Sequence, residues 1–335
     1  MSPEGFGGPG ELEPKFSAPN FELNDGPEPS GDILSENQLV ECIREDGTAE
    51  MVQIREWWSN RWWPGDEGDV SVELVPGFAE TIGSLDDFAG KVAQLGDQRV
   101  LGFEHPHSKP KGVSEQGGDW RRRFAVNHQD RGERLGAVRE AAGIEKVDLV
   151  AHSQGCIDAI VAAYLSLEDG SGSVRNLILI NPGGVVDPEG THVTKLAAMG
   201  MVEAADLASR ALRHPSRLGK FIKNAGEVVE DVVRHPKLTF DEAKAIAATD
   251  MSGCLGDLRE QGIHVAIVAG KGDRLFPLER IQKALHEGDV DGFYSVEGGH
   301  NELTQNPQKM AELVVKIQDD LANGIENEEN YERAV

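Results

Sequence analysis

Six short runs rich in β-branched and aliphatic residues recur along the middle of this chain, separated for the most part by stretches long enough to hold a helix. They are Val70 to Val75, Arg99 to Phe103, Val147 to Ala151, Val174 to Ile180, His264 to Ala269 and Phe293 to Val296. Their apolar character suits strands covered on both faces. Strand alternating with helix implies a parallel sheet. Ahead of these runs, Leu39 to Ile43 and Met51 to Ile54 alternate around Glu45-Asp46-Gly47-Thr48, whose Asp-Gly step is a hairpin signal. They are expected to form two antiparallel strands at one edge, eight strands in all.

One interval breaks the rhythm. About 83 residues separate the fourth and fifth of the six runs, too many for one crossover helix, so an insertion is expected there. Between about 188 and 251, the stretches Val202 to Leu212, Arg217 to Val233 and Phe240 to Ala248 space apolar residues by three and four, with Pro215 and Pro236 as breaks. This reads as a small helical cap over the strand ends. Residues 1 to 35 carry six prolines among glycines and acidic residues and read as a disordered arm. Residues 324 to 335 are polar and acidic and read as a frayed tail, leaving 36 to 323 as the structured unit.

The formal charge of −25 disfavours nucleic acid and anionic surfaces as partners, and favours neutral or cationic substrates. No stretch reaches the roughly 18 apolar residues of a membrane span, and the first twenty residues lack the apolar block of a signal peptide, so a cytoplasmic location is expected. The three cysteines, Cys42, Cys156 and Cys254, show no Cys-x-x-Cys spacing and read as buried small residues.

Chemistry concentrates where the third of the six runs ends. Val147 to Ala151 leads into His152-Ser153-Gln154-Gly155, after which Ile157 to Leu167 is helical in character. A serine on such a strand-to-helix turn has its hydroxyl pushed out of the sheet, and the free N–H groups of the helix N-terminus point at a reacting carbonyl. Ala151 and Gly155 are small because strand and helix approach closely there. An alkyl hydroxyl is a weak nucleophile at neutral pH and needs a base, and the base needs a group to fix its tautomer. Gly270-Lys271-Gly272-Asp273 places a carboxylate just past one strand, and Gly298-Gly299-His300 places an imidazole past the next.

In these segments the chain resembles the α/β-hydrolase family over nearly all of residues 38 to 320, with Ala151 where the family usually has Gly. The resemblance implies a mostly parallel eight-stranded sheet flanked by helices with a helical cap, Ser153 as nucleophile, Asp273 as orienting acid and His300 as general base. It also implies that the backbone N–H groups of Gln154 and Phe78 receive the oxyanion. Phe78 follows Pro76-Gly77, a segment that resembles the family's His-Gly-x turn with Pro76 in place of His. His-Ser-Gln-Gly looks like bacterial lipases and esterases, whereas an Asp nucleophile would mark epoxide hydrolases and dehalogenases.

The function expected is hydrolysis of a carboxylic ester through an acyl-enzyme, on a small acyl substrate that is neutral and partly apolar, with no cofactor and no metal. An acyltransferase using the same three residues and a non-catalytic binding protein on this fold stay open. Glu104, His105 and His107 could ligate a metal but read better as a loop near the site mouth. Trp57, Trp58, Trp62 and Trp63 read as packing near the start of the sheet. His152 is read as a structural neighbour, and Asp187 as the substitute acid should Asp273 be misplaced.

Overall fold

The structure is a computed structural model, and it describes residues 33–43, 47, 49–62, 70–78, 80–103, 126–186 and 236–323. Eight strands form one sheet: β1 (Ile33–Ile43), β2 (Ala49–Ser59), β3 (Ser71–Val75), β4 (Val100–Phe103), β5 (Val147–His152), β6 (Val174–Ile180), β7 (His264–Gly270) and β8 (Gly292–Val296). The strand order is β1-β2-β4-β3-β5-β6-β7-β8. β2 pairs antiparallel with both β1 and β4, and every other pairing is parallel. Among the described residues the helices longer than one turn are α1 (Asp86–Gly96), α2 (Val126–Ala141), α3 (Gly155–Glu168), α4 (Pro236–Ala248), α5 (Leu255–Glu260), α6 (Leu278–Ala284) and, after the single turn α7 (Glu302–Gln305), α8 (Pro307–Ala322).

The period of two along each strand divides the core. Leu149 and Ala151 of β5, with Val265, Ile267 and Ala269 of β7, face a layer that includes α2 and α3. Val150, Ala266 and Val268 face the opposite layer, built on α1 and α8. Helices on both faces are what allow β5, β6 and β7 to be apolar almost without interruption. Several of the buried charges are paired. Glu73 of β3 is fully buried, and its carboxylate accepts from Arg139 Nη1 at 2.8 Å. Burial raises its pKa, and the arginine partly offsets this. Asp148 of β5 takes a bidentate bond from Arg175 and a third from Gln318.

The expected hairpin is present, but its strands run longer than their hydropathy suggests. β1 begins at Ile33 rather than Leu39, and β2 extends to Ser59 rather than ending at Ile54. β1 is an edge strand with nearly every side chain in solvent, so backbone pairing to β2 defines it and apolar alternation does not. Gly47 in the connecting turn has φ +79°, a left-handed conformation that glycine adopts without strain. Trp57 is buried within the α1 layer, Trp58 and Trp62 are half-buried, and Trp63 lies outside the described residues.

The expected cap falls largely outside the described residues. Its last helical stretch is α4, with Pro236 as the first helical residue, where a missing N–H has no consequence. Arg131 of α2 donates to Glu242 of α4 at 2.6 Å, and both are buried. Of the arm expected over residues 1 to 35, residues 1–32 lie outside the described residues, as does the tail from 324, while Ile33, Leu34 and Ser35 belong to β1 and not to a disordered arm, because they pair with β2. No described helix is long and apolar enough to cross a membrane. All three cysteines are buried, and none is in a disulfide.

Candidate active site

β5 ends at His152, and the chain turns at once into α3, with Ser153 and Gln154 forming the corner. Ser153 has φ +54°, one of three positive values among described non-glycine residues. Such a conformation costs about 1–3 kcal/mol and persists only where its surroundings impose it. Here the carbonyl oxygen of Ser153 accepts from Gly183 N at 2.9 Å, and its N–H donates to Ile180 O at 3.0 Å. The turn is therefore bolted to the end of β6.

Neighbouring backbone leaves no room for side chains around this corner. A Cβ on Gly155 would lie 2.4 Å from the carbonyl oxygen of Val75 and 2.5 Å from that of Pro76. A Cβ on Gly77 would lie 2.9 Å from that of Ser153. Gly155→Ala is accordingly expected to destabilise the protein by at least about 1–3 kcal/mol, because backbone must move to admit the methyl group. The urea midpoint would report it, and an unchanged midpoint would contradict so tight an approach.

Ser153, Asp273 and His300, which are separated by up to 147 positions, are brought together. His300 Nε2 lies 2.9 Å from Ser153 Oγ, and His300 Nδ1 lies 2.8 Å from Asp273 Oδ2. A carboxylate oxygen accepts, so Nδ1 carries the proton and Nε2 presents a lone pair to the serine hydroxyl. The other oxygen of Asp273 accepts from the backbone N–H of Leu275 at 2.8 Å and of Phe276 at 3.0 Å. These bonds fix the carboxylate plane. All three side chains are buried, and the Phe276 ring lies 5.4 Å from that of His300.

The loops that carry the acid and the base are laced to each other. Lys271 N donates to Val296 O at 3.0 Å and Gly272 N to Gly298 O at 2.7 Å. Asn181, just past β6, spans the same gap. Its Oδ1 accepts from Gly270 N at 2.7 Å, and its Nδ2 donates to His300 O at 2.9 Å. Gln154 is buried at the N-cap of α3, and half-buried Phe78 follows the glycine that abuts Ser153. Of the two expected oxyanion donors, Gln154 thus adjoins the serine in the chain, and Phe78 adjoins the glycine that packs on it.

Two residues at the site were not singled out in the sequence. Asn181 carries the turn signal of an Asn-Pro step after a strand, which marks a bend without revealing a bridge. Glu80 carries no signal. Its carboxylate accepts from Gly77 N at 2.8 Å and contacts His152 Nδ1 at 3.0 Å. Glu104, His105, His107 and Asp187 lie outside the described residues.

A sheet of this order, with a serine corner after β5, a carboxylate after β7 and a histidine after β8, defines the α/β-hydrolase class. Residues 74–313 match the profile of the alpha/beta hydrolase family, and the chain belongs to that family. No curated protein matches it. Among solved structures it is similar to a bromoperoxidase from Bacillus anthracis at 14% identity and a TM-score of 0.58, covering 85% of this chain and 100% of that one. An esterase from Rhodococcus sp. ECU1013 aligns at 17% identity and a TM-score of 0.54, over 84% of this chain and 99% of that one. A proline iminopeptidase from Mycobacterium smegmatis aligns at 12% identity and a TM-score of 0.55, over 86% of this chain and 100% of that one. At these identities the likeness is one of fold.

Proposed function

We propose that the chain is a serine hydrolase that cleaves a carboxylic ester through an acyl-enzyme on Ser153. The observation that carries this reading is the hydrogen-bonded series Ser153 Oγ, His300, Asp273, with links of 2.9 and 2.8 Å. In the first half-reaction Ser153 Oγ attacks the ester carbon while His300 Nε2 takes the hydroxyl proton. The oxygen becomes an oxyanion, which the backbone N–H groups of Phe78 and Gln154 receive. Removing one such donor costs about 3–4 kcal/mol of transition-state stabilisation in enzymes of this kind. Collapse expels the alcohol, protonated by His300, and leaves the acyl group on Ser153. Water then attacks with His300 again as base, and the carboxylic acid departs.

Asp273 keeps the proton on Nδ1 and stabilises the imidazolium that forms twice in each cycle. Esters rank first as substrates because one protein of similar fold is an esterase, and because an alcohol leaves far more readily than an amine. Neutral substrates suit a chain with a formal charge of −25. The cap read from residues 188 to 251 would supply the acyl pocket, and neither metal nor organic cofactor enters any step.

A panel of p-nitrophenyl esters of rising acyl length, assayed with and without added alcohols, tests this reading. Release of p-nitrophenol with stoichiometric free acid is the expected result. Acyl transfer to the alcohol in preference to water would make the protein an acyltransferase on the same three residues. No turnover on any ester would favour a binding protein.

A further inference from the structure

Behind the proposed relay lies a second pair of ionisable groups that the reaction does not use. His152, the last residue of β5, lies between two acceptors. Its Nδ1 is 3.0 Å from Glu80 Oε2, and its Nε2 is 2.8 Å from the carbonyl oxygen of His300. A backbone carbonyl only accepts, so Nε2 bears hydrogen, and an ionised carboxylate requires hydrogen on Nδ1 as well. The geometry fits an imidazolium beside a carboxylate, with side-chain exposures of 5% and 11%.

The charges agree with this assignment. Burial works against both groups, yet the charge of each and the bond between them outweigh it. The result is a Glu80 carboxyl below its usual range and a His152 imidazole above its own. The other ionisable groups facing the pair are His300 on the loop after β8, Asp273 on the loop after β7 and the buried thiol of Cys156 in α3. The rings of His152 and His300 lie 4.9 Å apart.

We propose that Glu80 and His152 are positioning residues, a buried ion pair that ties the loop bearing Phe78 to the loop bearing His300. The tie runs from Gly77 N–H to Glu80, from Glu80 to His152, and from His152 to the backbone of His300. It fixes the separation between the oxyanion donor and the base across Ser153. This role rests on the reading of Ser153 and His300 as catalytic groups. Neither Glu80 nor His152 touches the reacting atoms, so their loss acts through geometry.

The charge state gives the tie a direction in pH. The His152 pKa is raised from 6.5 in the folded protein, so the pair is complete below the unperturbed value and is lost as pH rises through the raised one. Deprotonation at Nδ1 would turn a lone pair toward the Glu80 carboxylate, and one of the two bonds must then open. The Glu80 pKa is lowered from 4.5, so on the acid side the pair is lost only as pH falls through that lowered value.

Glu80→Gln separates charge from geometry. Gly77 N–H and His152 Nδ1 both meet the one oxygen Oε2, so a glutamine oxygen in that place keeps the bond from Gly77 N–H but holds His152 only through hydrogen on Nδ1, and a neutral His152 then keeps one of its two bonds. Glu80→Ala is expected to lower kcat on the order of 10- to 100-fold with little change in KM, the scale of a misplacement of about 1 Å. Glu80→Gln should recover only part of that loss, because it keeps the Gly77 bond but only one of the two His152 bonds, and it should lack the alkaline decline that the native protein shows as His152 titrates. With ¹⁵N-labelled histidine, native His152, assigned from the His152→Gln spectrum, should carry hydrogen on both nitrogens at about pH 6, and in Glu80→Gln on one nitrogen only. Native kcat in Glu80→Ala, or a neutral His152 in the native protein, would overturn the proposal while leaving the hydrolase reading intact. Absence of esterase turnover in the native protein would instead overturn that reading and the positioning role with it. The histidine spectra would then still report on the ion pair.

Discussion

Replacing Ser153 with Ala is expected to leave a folded protein whose ester turnover has fallen on the order of 10⁴- to 10⁶-fold. The hydroxyl is the only group in bonding reach of His300 Nε2 among the described residues, so no neighbour can inherit the attack. Folding should survive because the bonds that hold the corner are to the backbone of residue 153, namely Gly183 N–H to its carbonyl and its own N–H to Ile180. Alanine must adopt the same positive φ, so the corner keeps its strain and gains no freedom. Purified variant and native protein would be compared by kcat/KM on a p-nitrophenyl ester and by far-ultraviolet dichroism. A variant retaining more than about a tenth of the native rate would exclude Ser153 as nucleophile.

Asp273→Asn should be nearly as damaging, with a loss of about 10⁴-fold in kcat, although the change is isosteric. Asparagine can keep its oxygen on the N–H groups of Leu275 and Phe276, where Asp273 Oδ1 now accepts both. Its amide then faces His300 Nδ1 as a donor. The imidazole answers by moving its proton to Nε2, so the lone pair that should receive the Ser153 proton is gone. The expected signature is a melting temperature within a few degrees of native together with almost no turnover. Unchanged turnover would mean that another carboxylate orients the base, and Asp187 would be the next residue to replace.

The features legible in the sequence were those set by local pattern. Six apolar runs give the parallel strands, because strands covered on both faces are uniformly apolar. Ser153, Asp273 and His300 each follow such a run within a few residues, so their placement at strand ends followed from the strands. The extent of β1 was not legible, because an exposed edge strand is held by its backbone and carries Glu36, Asn37 and Gln38 without penalty. Nor were the polar ties in the interior. Glu73 with Arg139 and Arg131 with Glu242 join residues 66 and 111 positions apart, and a charged side chain read alone suggests solvent. Glu80 is the clearest case. Five positions past β3, in a loop read only for the backbone of Phe78, it became visible as part of the site when β5 and the β8 loop brought His152 and His300 against it.

The claim on which the rest depends is that Ser153 is an activated nucleophile, and covalent labelling tests it most directly. Native protein treated with a fluorophosphonate, digested and analysed by mass spectrometry should carry a single phosphonyl adduct on the peptide containing Ser153. The adduct should be absent from Ser153→Ala and strongly reduced in Asp273→Asn. A folded native protein that takes up no label, or label mapping to any other residue, would contradict the account.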